Sequence, residues 1–178
     1  MDFPPLETLG PRIMVLGLTN SGKSTLAEAI GVRTGMPVVH LDRLRHLPHT
    51  NWQERGDAEF QALHDAAVAT DSWIMDGSYS KIMAPRLARV TGMVVLDASL
   101  PVRFGRYLWR SLLQKRRAGG LEGGQDSLNL TMLAWLWKTR NRAEAIRELA
   151  RRTGTPYVFC HNQKQLDGLY EAWGLQRQ

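Results

Sequence analysis

The sequence predicts an α/β fold in which a parallel sheet is covered on both faces by helices. Three observations carry this expectation. Five short apolar runs are separated by helix-sized segments, and parallel strands need such crossover connections. A glycine-rich stretch, Gly17-Leu18-Thr19-Asn20-Ser21-Gly22-Lys23-Ser24, follows the first run and precedes the first helical pattern. The chain of 178 residues, 43% hydrophobic and 22% charged, suits one globular domain able to bury roughly 70% of its unfolded surface.

The elements follow in order. Residues 12–17, Arg-Ile-Met-Val-Leu-Gly, form an apolar run ending in glycine and predict the first strand. A helix should open at Gly22 or Lys23, run through Leu26, Ala27 and Ile30, and stop at Gly35 with Pro37 beyond. Residues 37–41 predict the second strand. The stretch 46–55, with Pro48, Asn51 and Trp52, lacks either period and predicts a loop. Ala58, Phe60, Leu63, Ala66 and Ala67 mark an amphipathic helix. Strands are then expected over 72–77 and 93–97.

From 101 to 117 a long helix places Arg103, Arg106, Arg110 and Arg117 on one face, at spacings of three, four and seven. Gly119, Gly120, Gly123 and Gly124 make a flexible segment, and a Trp- and Arg-rich helical stretch follows from about 128 to 152. Residues 156–160 predict the fifth strand, and about 163–173 a final helix. There is no internal repeat and no second domain.

The balance of 23 Lys and Arg against 17 acidic residues gives a charge of +6, which directs attention to polyanions: nucleotides, phosphorylated metabolites or nucleic acid. Cys160, the one cysteine, excludes an internal disulfide framework and suits a reducing cytoplasm; in an apolar strand it should act as a small buried hydrophobe. The first residues, Met1-Asp2-Phe3-Pro4-Pro5, do not read as a secretory signal. The apolar run near 130–137 is too short to span a bilayer, so no membrane partner is expected. Oligomeric state is not legible.

Residues 17–24 match G-x-x-x-x-G-K-S in full, and a strand before it with a helix after it is the context that turns backbone N–H groups and the positive helix end toward phosphate. Gly17 and Gly22 permit close backbone approach, Lys23 can reach the β- and γ-phosphates, and the Ser24 hydroxyl can ligate Mg²⁺. With Asn20, Ser21 and Thr25 these residues form the expected ATP site. No Asn/Thr-Lys-x-Asp guanine-reading motif occurs, which points to ATP over GTP. The adenine would lie near His161 and Asn162, after the fifth strand.

Other residues admit two readings each. Asp76, before Gly77 at the end of the third strand, is either a turn residue or a carboxylate on Mg²⁺. Asp42 either caps a short helix or orients an acceptor hydroxyl. The arginine stripe is either a solvated face or a lid that brings guanidinium groups to the transferring phosphoryl group. Arg86 either grips an acceptor phosphate or stands at the surface. Trp52, Trp135 and Trp137 either stack on a ligand or pack in the core. His46-x-x-His49 lacks the further ligands of a metal site and reads as loop.

Together, residues 17–24, Asp42, Trp52, Trp73-Ile74-Met75-Asp76-Gly77-Ser78-Tyr79, Val95-Leu96-Asp97 and Trp135-Leu136-Trp137 resemble a known group over about 12–169. It is the adenylate-kinase-related P-loop family often labelled DNA topology modulation proteins, whose third strand typically ends in Trp-Ile-Asp-Gly-Asn-Tyr-like sequence. The resemblance implies the nucleoside-monophosphate-kinase fold, with strand order 2-3-1-4-5 and an arginine-bearing lid over about 103–142. It further implies Lys23 and Ser24 on nucleotide and metal, Asp42 near the acceptor, Asp76 at the metal, and Arg106 or Arg110 in the lid. Ser78 stands where that family usually has Asn, and no Asp-Gly-Phe-Pro-Arg segment occurs, so AMP is not the implied acceptor.

The resulting expectation is a small-molecule kinase that uses ATP and Mg²⁺, with Lys23, Asp42, Arg106 and Arg110 at the chemistry and Asp42, Trp52, Asp76, Gly77, Tyr79 and Arg86 around the acceptor. The alternative is a regulatory P-loop protein or ATPase acting on DNA or on a protein partner, with its basic surface as the docking face.

Overall fold

The computed structural model describes residues 2–50, 52–113, 137 and 143–177. Its centre is a five-stranded parallel sheet in the order β2-β3-β1-β4-β5, formed by β1 (Arg12–Gly17), β2 (Val38–His40), β3 (Trp73–Asp76), β4 (Gly92–Leu96) and β5 (Tyr157–Cys160). β1 lies between β3 and β4, with Val15 opposite Asp76 and Gly17 opposite Leu96. β1 spans its expected run and β4 starts one residue earlier and ends one earlier than expected, while β2, β3 and β5 are a residue or two shorter, because the ladder ends where the chain turns into the crossovers.

The two-residue period of the strands divides the core. Ile13, Val15, Ile74, Val94, Leu96, Val158 and Cys160 face one layer, built from Leu26, Ala27 and Ile30 of α1 (Lys23–Thr34) and from the helix Gln163–Ala172. Met14, Leu16, Trp73, Met75, Met93 and Val95 face the other, with Val68, Met83, Val90 and Ala150. Both faces are covered, which is why the runs read as continuously apolar. Each fully buried Leu, Ile or Met contributes roughly 1.5–3 kcal/mol.

After β2 comes a short helix α2 (Leu41–Arg45), then α3 (Asp57–Ala69), α4 (Ala84–Arg89), α5 (Leu100–Leu113), α6 (Ala143–Arg152) and α7, the Gln163–Ala172 helix. α1 stops at Gly35, as its sequence predicts. In α3 the inward residues are Phe60, His64 and Val68, whereas Leu63 and Ala66, expected on the packed face, are exposed. The buried stripe runs through a histidine that a hydropathy reading assigns to the outside.

The 3-10 turn Leu6–Leu9, the turn Ser80–Ile82 and α4 are elements the apolar pattern did not signal. In the 46–55 segment, an antiparallel bridge joins His46 to Glu54 and closes the expected loop. Arg117, Trp135, the four glycines 119, 120, 123 and 124, and most of the lid lie outside the described residues, as does the side chain of Arg110. Trp137 is helical and 61% exposed. No helix among the described residues is long and apolar enough to cross a membrane.

Candidate active site

The C-terminal edge of the sheet gathers the polar residues. β1 ends at Gly17 with φ +146°, and a Cβ there would lie 2.3 Å from the carbonyl oxygen of Leu96 on the paired strand. Only glycine fits. Residues 18–22 then turn into α1, whose first residue is Lys23. Lys23 Nζ donates to the Leu18 carbonyl at 3.0 Å, spanning the loop from inside. Ser21 Oγ and both side-chain atoms of Asn20 are buried without a protein partner.

Ser24, in the first turn of α1, donates from Oγ to Asp76 Oδ2 at 2.5 Å. The β1–β3 pairing delivers this contact by setting the end of β3 beside the loop. Asp76 is 6% exposed, and its Oδ1 has no hydrogen-bond partner among the described residues. Burial alone would push its carboxyl up, but hydrogen bonds from His40 and Ser24 and the charge of Lys23 outweigh that and hold it below the usual range. Asp76 is therefore a carboxylate at neutral pH. A buried anionic oxygen beside a serine hydroxyl at a phosphate loop is the donor set of a hard cation, so these residues fit Mg²⁺.

Sequence reading missed two members of this cluster. His40 stands opposite Asp76 in the β2–β3 register and is 3% exposed. Its Nδ1 lies 3.2 Å from Asp76 Oδ2 and its Nε2 2.7 Å from Glu28 Oε1. Burial opposes its charge, yet the two carboxylates raise its pKa above 6.5. Glu28 is one helical turn beyond Ser24, so both reach from the same face of α1. Ser24, Asp76, His40 and Glu28 thus close a ring through α1, β3 and β2. The available signals were the four-residue spacing and the placement of His40 at the end of β2.

Beyond β2, Asp42 lies in the first turn of α2 and is exposed; the N-cap position belongs to His40, so the capping reading does not hold. Asp42 Oδ1 accepts a hydrogen bond from the Tyr79 hydroxyl at 2.6 Å. Tyr79 follows Gly77 and has φ +34°, and its ring meets Phe60 edge-on at 5.2 Å. Arg45, paired with Glu54 and Asp57, covers the other part of Phe60. Trp52, at φ +59° in the 46–55 loop, is half-buried and packs edge-on against His46 at 5.2 Å, not in the core.

Arg86, Arg103 and Arg106 hold main-chain carbonyls. Arg86 is 0% exposed and donates to the carbonyls of Gly77 at 2.9 Å, Ser78 at 2.7 Å and Tyr79 at 3.3 Å. It shapes the turn from beneath and is not a surface residue. Burial pulls its guanidinium down to about 10, still charged at neutral pH. Arg103, fully buried, donates from Nε to Thr19 O at 2.8 Å, and Arg106 donates to Ser21 O at 2.6 Å and Asn20 O at 3.3 Å and pairs with Gln163. The solvated-face reading fails for these two. They hold carbonyls of the phosphate loop from the α5 side.

At the far side of the loop, Asp97 pairs with Arg147 of α6, and a cavity of about 10 Å³ lies among Ser21, Leu96, Asp97, Cys160, Asn162 and Gln163. Asn162 Oδ1 caps α7 by accepting from Gln165 N at 2.9 Å, and His161 N donates to Gln165 Oε1 at 2.6 Å; both residues are exposed. Burial pushes the Cys160 thiol up to about 12, so it behaves as an inert apolar group. Gly22 and Thr25 lie at the loop's helical end, half-buried.

No family model matches the chain, and no curated protein does. Solved structures do. A gluconokinase from Sinorhizobium meliloti 1021 superposes with TM-score 0.53 at 20% identity, covering 93% of this chain and 91% of its own. Shikimate kinase from Bacteroides thetaiotaomicron gives 0.52 at 17%, covering 90% and 97%, and shikimate kinase from Aquifex aeolicus vf5 gives 0.50 at 16%, covering 90% and 92%. None of the three supports the DNA-topology label, and adenylate kinase is related only through the broad fold. What these likenesses show is that fold: the chain has the five-stranded parallel architecture of P-loop kinases.

Proposed function

We propose that this protein is a small-molecule kinase that transfers the γ-phosphoryl group of ATP to a hydroxyl held near Asp42. The observation that carries the reading is the Ser24–Asp76 contact at the mouth of the phosphate loop, with Asp76 Oδ1 buried and uncommitted. Mg²⁺ held by Ser24 and Asp76 would neutralise phosphate charge and orient the β- and γ-oxygens. Lys23 exchanges Leu18 O for phosphate oxygens, and the loop N–H groups together with the start of α1 bind the rest. Asp42 accepts the proton of the attacking hydroxyl or orients it.

Arg106 supports the loop in this reading, while Arg110 and the lid over about 103–142 close above the substrates and exclude water. Adenine lies against 161–162 through backbone groups, and Trp52, Gly77, Tyr79 and Arg86 shape the acceptor pocket, Arg86 through the turn it holds. The lone reduced Cys160 suits a cytoplasmic enzyme.

The test is ADP release by purified protein with a panel of acceptors. Gluconate and shikimate, suggested by the neighbours' names, head the panel, followed by nucleosides, nucleoside monophosphates, sugars and phosphorylated metabolites. At least one should raise turnover about tenfold or more over water alone, and Lys23→Ala should remove it. If no acceptor stimulates turnover while duplex DNA binds tightly at physiological salt, the kinase reading is wrong.

A further inference from the structure

We infer that His40, braced by Glu28, is a positioning residue that fixes the Asp76 carboxylate so that Oδ1 is the oxygen offered to Mg²⁺. This rests on the MgATP reading above. The geometry that carries it is a division of labour between the two carboxylate oxygens. Oδ2 is engaged twice, by Ser24 Oγ at 2.5 Å and by His40 Nδ1 at 3.2 Å. Oδ1 is buried and has no hydrogen-bond partner among the described residues. A carboxylate with one oxygen held on two sides cannot rotate about its Cβ–Cγ bond without breaking both contacts, so the free oxygen has a fixed place.

His40 can serve this way because it is itself held. Its backbone is paired to Asp76 in the β2–β3 ladder, and its other nitrogen is tied to Glu28 at 2.7 Å. Both nitrogens face carboxylate oxygens, so both donate, and the ring bridges two anions in a water-poor interior. Glu28 is reached from the same helix that carries Ser24. The brace and the metal-side hydroxyl therefore move as one body. A histidine that merely tied β2 to α1 would need the Glu28 contact alone; the contact on Oδ2 is the feature that points to Asp76.

The two imidazole nitrogens can be tested separately, since an Asn amide reproduces the position of Nδ1 and a Gln amide that of Nε2. The readout is the affinity for ADP by calorimetry in EDTA and in saturating Mg²⁺, whose ratio measures metal coupling without turnover. His40→Gln, which keeps Glu28 and releases Asp76, should lower that ratio roughly 10- to 100-fold, the usual effect of losing an outer-shell partner. ADP binding in EDTA should stay within about twofold. His40→Asn, which keeps the contact on Oδ2 and releases Glu28, should lower the ratio only severalfold.

Equal loss in His40→Asn and His40→Gln, unchanged coupling in His40→Gln, or a parallel fall of binding in EDTA would each overturn the inference. Should His40→Gln fail to fold, Glu28→Ala, at a half-exposed position, replaces it. A severalfold drop in coupling with binding in EDTA preserved supports the brace, and unchanged coupling overturns it. Wild-type protein whose ADP affinity does not respond to Mg²⁺ would instead refute the MgATP reading itself.

Discussion

The buried arginine of α4 allows a prediction with an ordering that simple charge loss does not give. Arg86 makes two close charge-assisted bonds, to Gly77 O at 2.9 Å and Ser78 O at 2.7 Å, and a longer one to Tyr79 O at 3.3 Å. The close pair is worth about 3–6 kcal/mol at roughly 1.5–3 each. Against this stands the cost of burying the guanidinium. Its displacement from 12.5 to about 10 corresponds to roughly 3 kcal/mol.

Arg86→Met removes both contributions and should lower the unfolding free energy by up to about 3 kcal/mol. Arg86→Lys keeps a buried charge but, lacking the planar fork, reaches one carbonyl at most, so it should cost more, about 3–5 kcal/mol. Urea unfolding followed by tryptophan fluorescence reads both. A lysine variant as stable as wild type would show that charge, not fork geometry, holds the turn, and would refute the reasoning.

Two further outcomes are expected. Tyr79→Phe deletes the 2.6 Å bond to Asp42 and should reduce acceptor-dependent turnover about tenfold by freeing that carboxylate. ADP affinity should be unchanged, and equal loss of both would detach Tyr79 from the acceptor. His64 is buried with Nε2 unpartnered; burial lowers its pKa below 6.5, Asp65 pulls it up and Arg86 pushes it down. As pH falls through 6.5 the unfolded chain takes a proton the folded one refuses, so wild type should lose up to about 1.4 kcal/mol per pH unit relative to His64→Leu. His40 acts with the opposite sign, being stabilising below 6.5 and losing that contribution as pH rises through its raised pKa. The measurement is therefore the difference between the two proteins' urea-unfolding stabilities, and a difference independent of pH would refute the assignment to His64.

The parts of this molecule that announce themselves in sequence are those made of side-chain patterns. The apolar runs marked all five strands because the sheet is covered on both faces, and the 17–24 motif marked the loop because its glycines and lysine recur at the spacing of a phosphate loop between a strand and a helix. The burial of the arginines is not legible in the sequence, for a common reason. Arg86, Arg103 and Arg106 all donate to main-chain carbonyls, and a carbonyl acceptor leaves no trace in the sequence. His64 does not register in an apolar pattern because hydropathy treats histidine as polar, although the helical period from Phe60 leads directly to it. His40 and Glu28 needed the strand register before their spacing had meaning.

The end of β3 explains why the two halves of the site can be held by one short segment. Asp76 points to Ser24, and Tyr79, three residues on, points to Asp42 across the edge of the sheet. Such a reversal needs unusual backbone at Gly77, with φ +124° and Leu41 Cβ only 3.0 Å from where a side chain would start, and again at Tyr79. A chain bent this way turns its carbonyls out of the sheet, and Arg86 collects all three. The donor half is held independently by the ring through Ser24, His40 and Glu28. In the proposed reading the acceptor half depends on the turn, on the Tyr79–Asp42 bond and on Phe60. Loosening the turn should therefore damage acceptor use before nucleotide binding, which makes the 77–79 segment the place where acceptor preference can change while the phosphate loop stays intact.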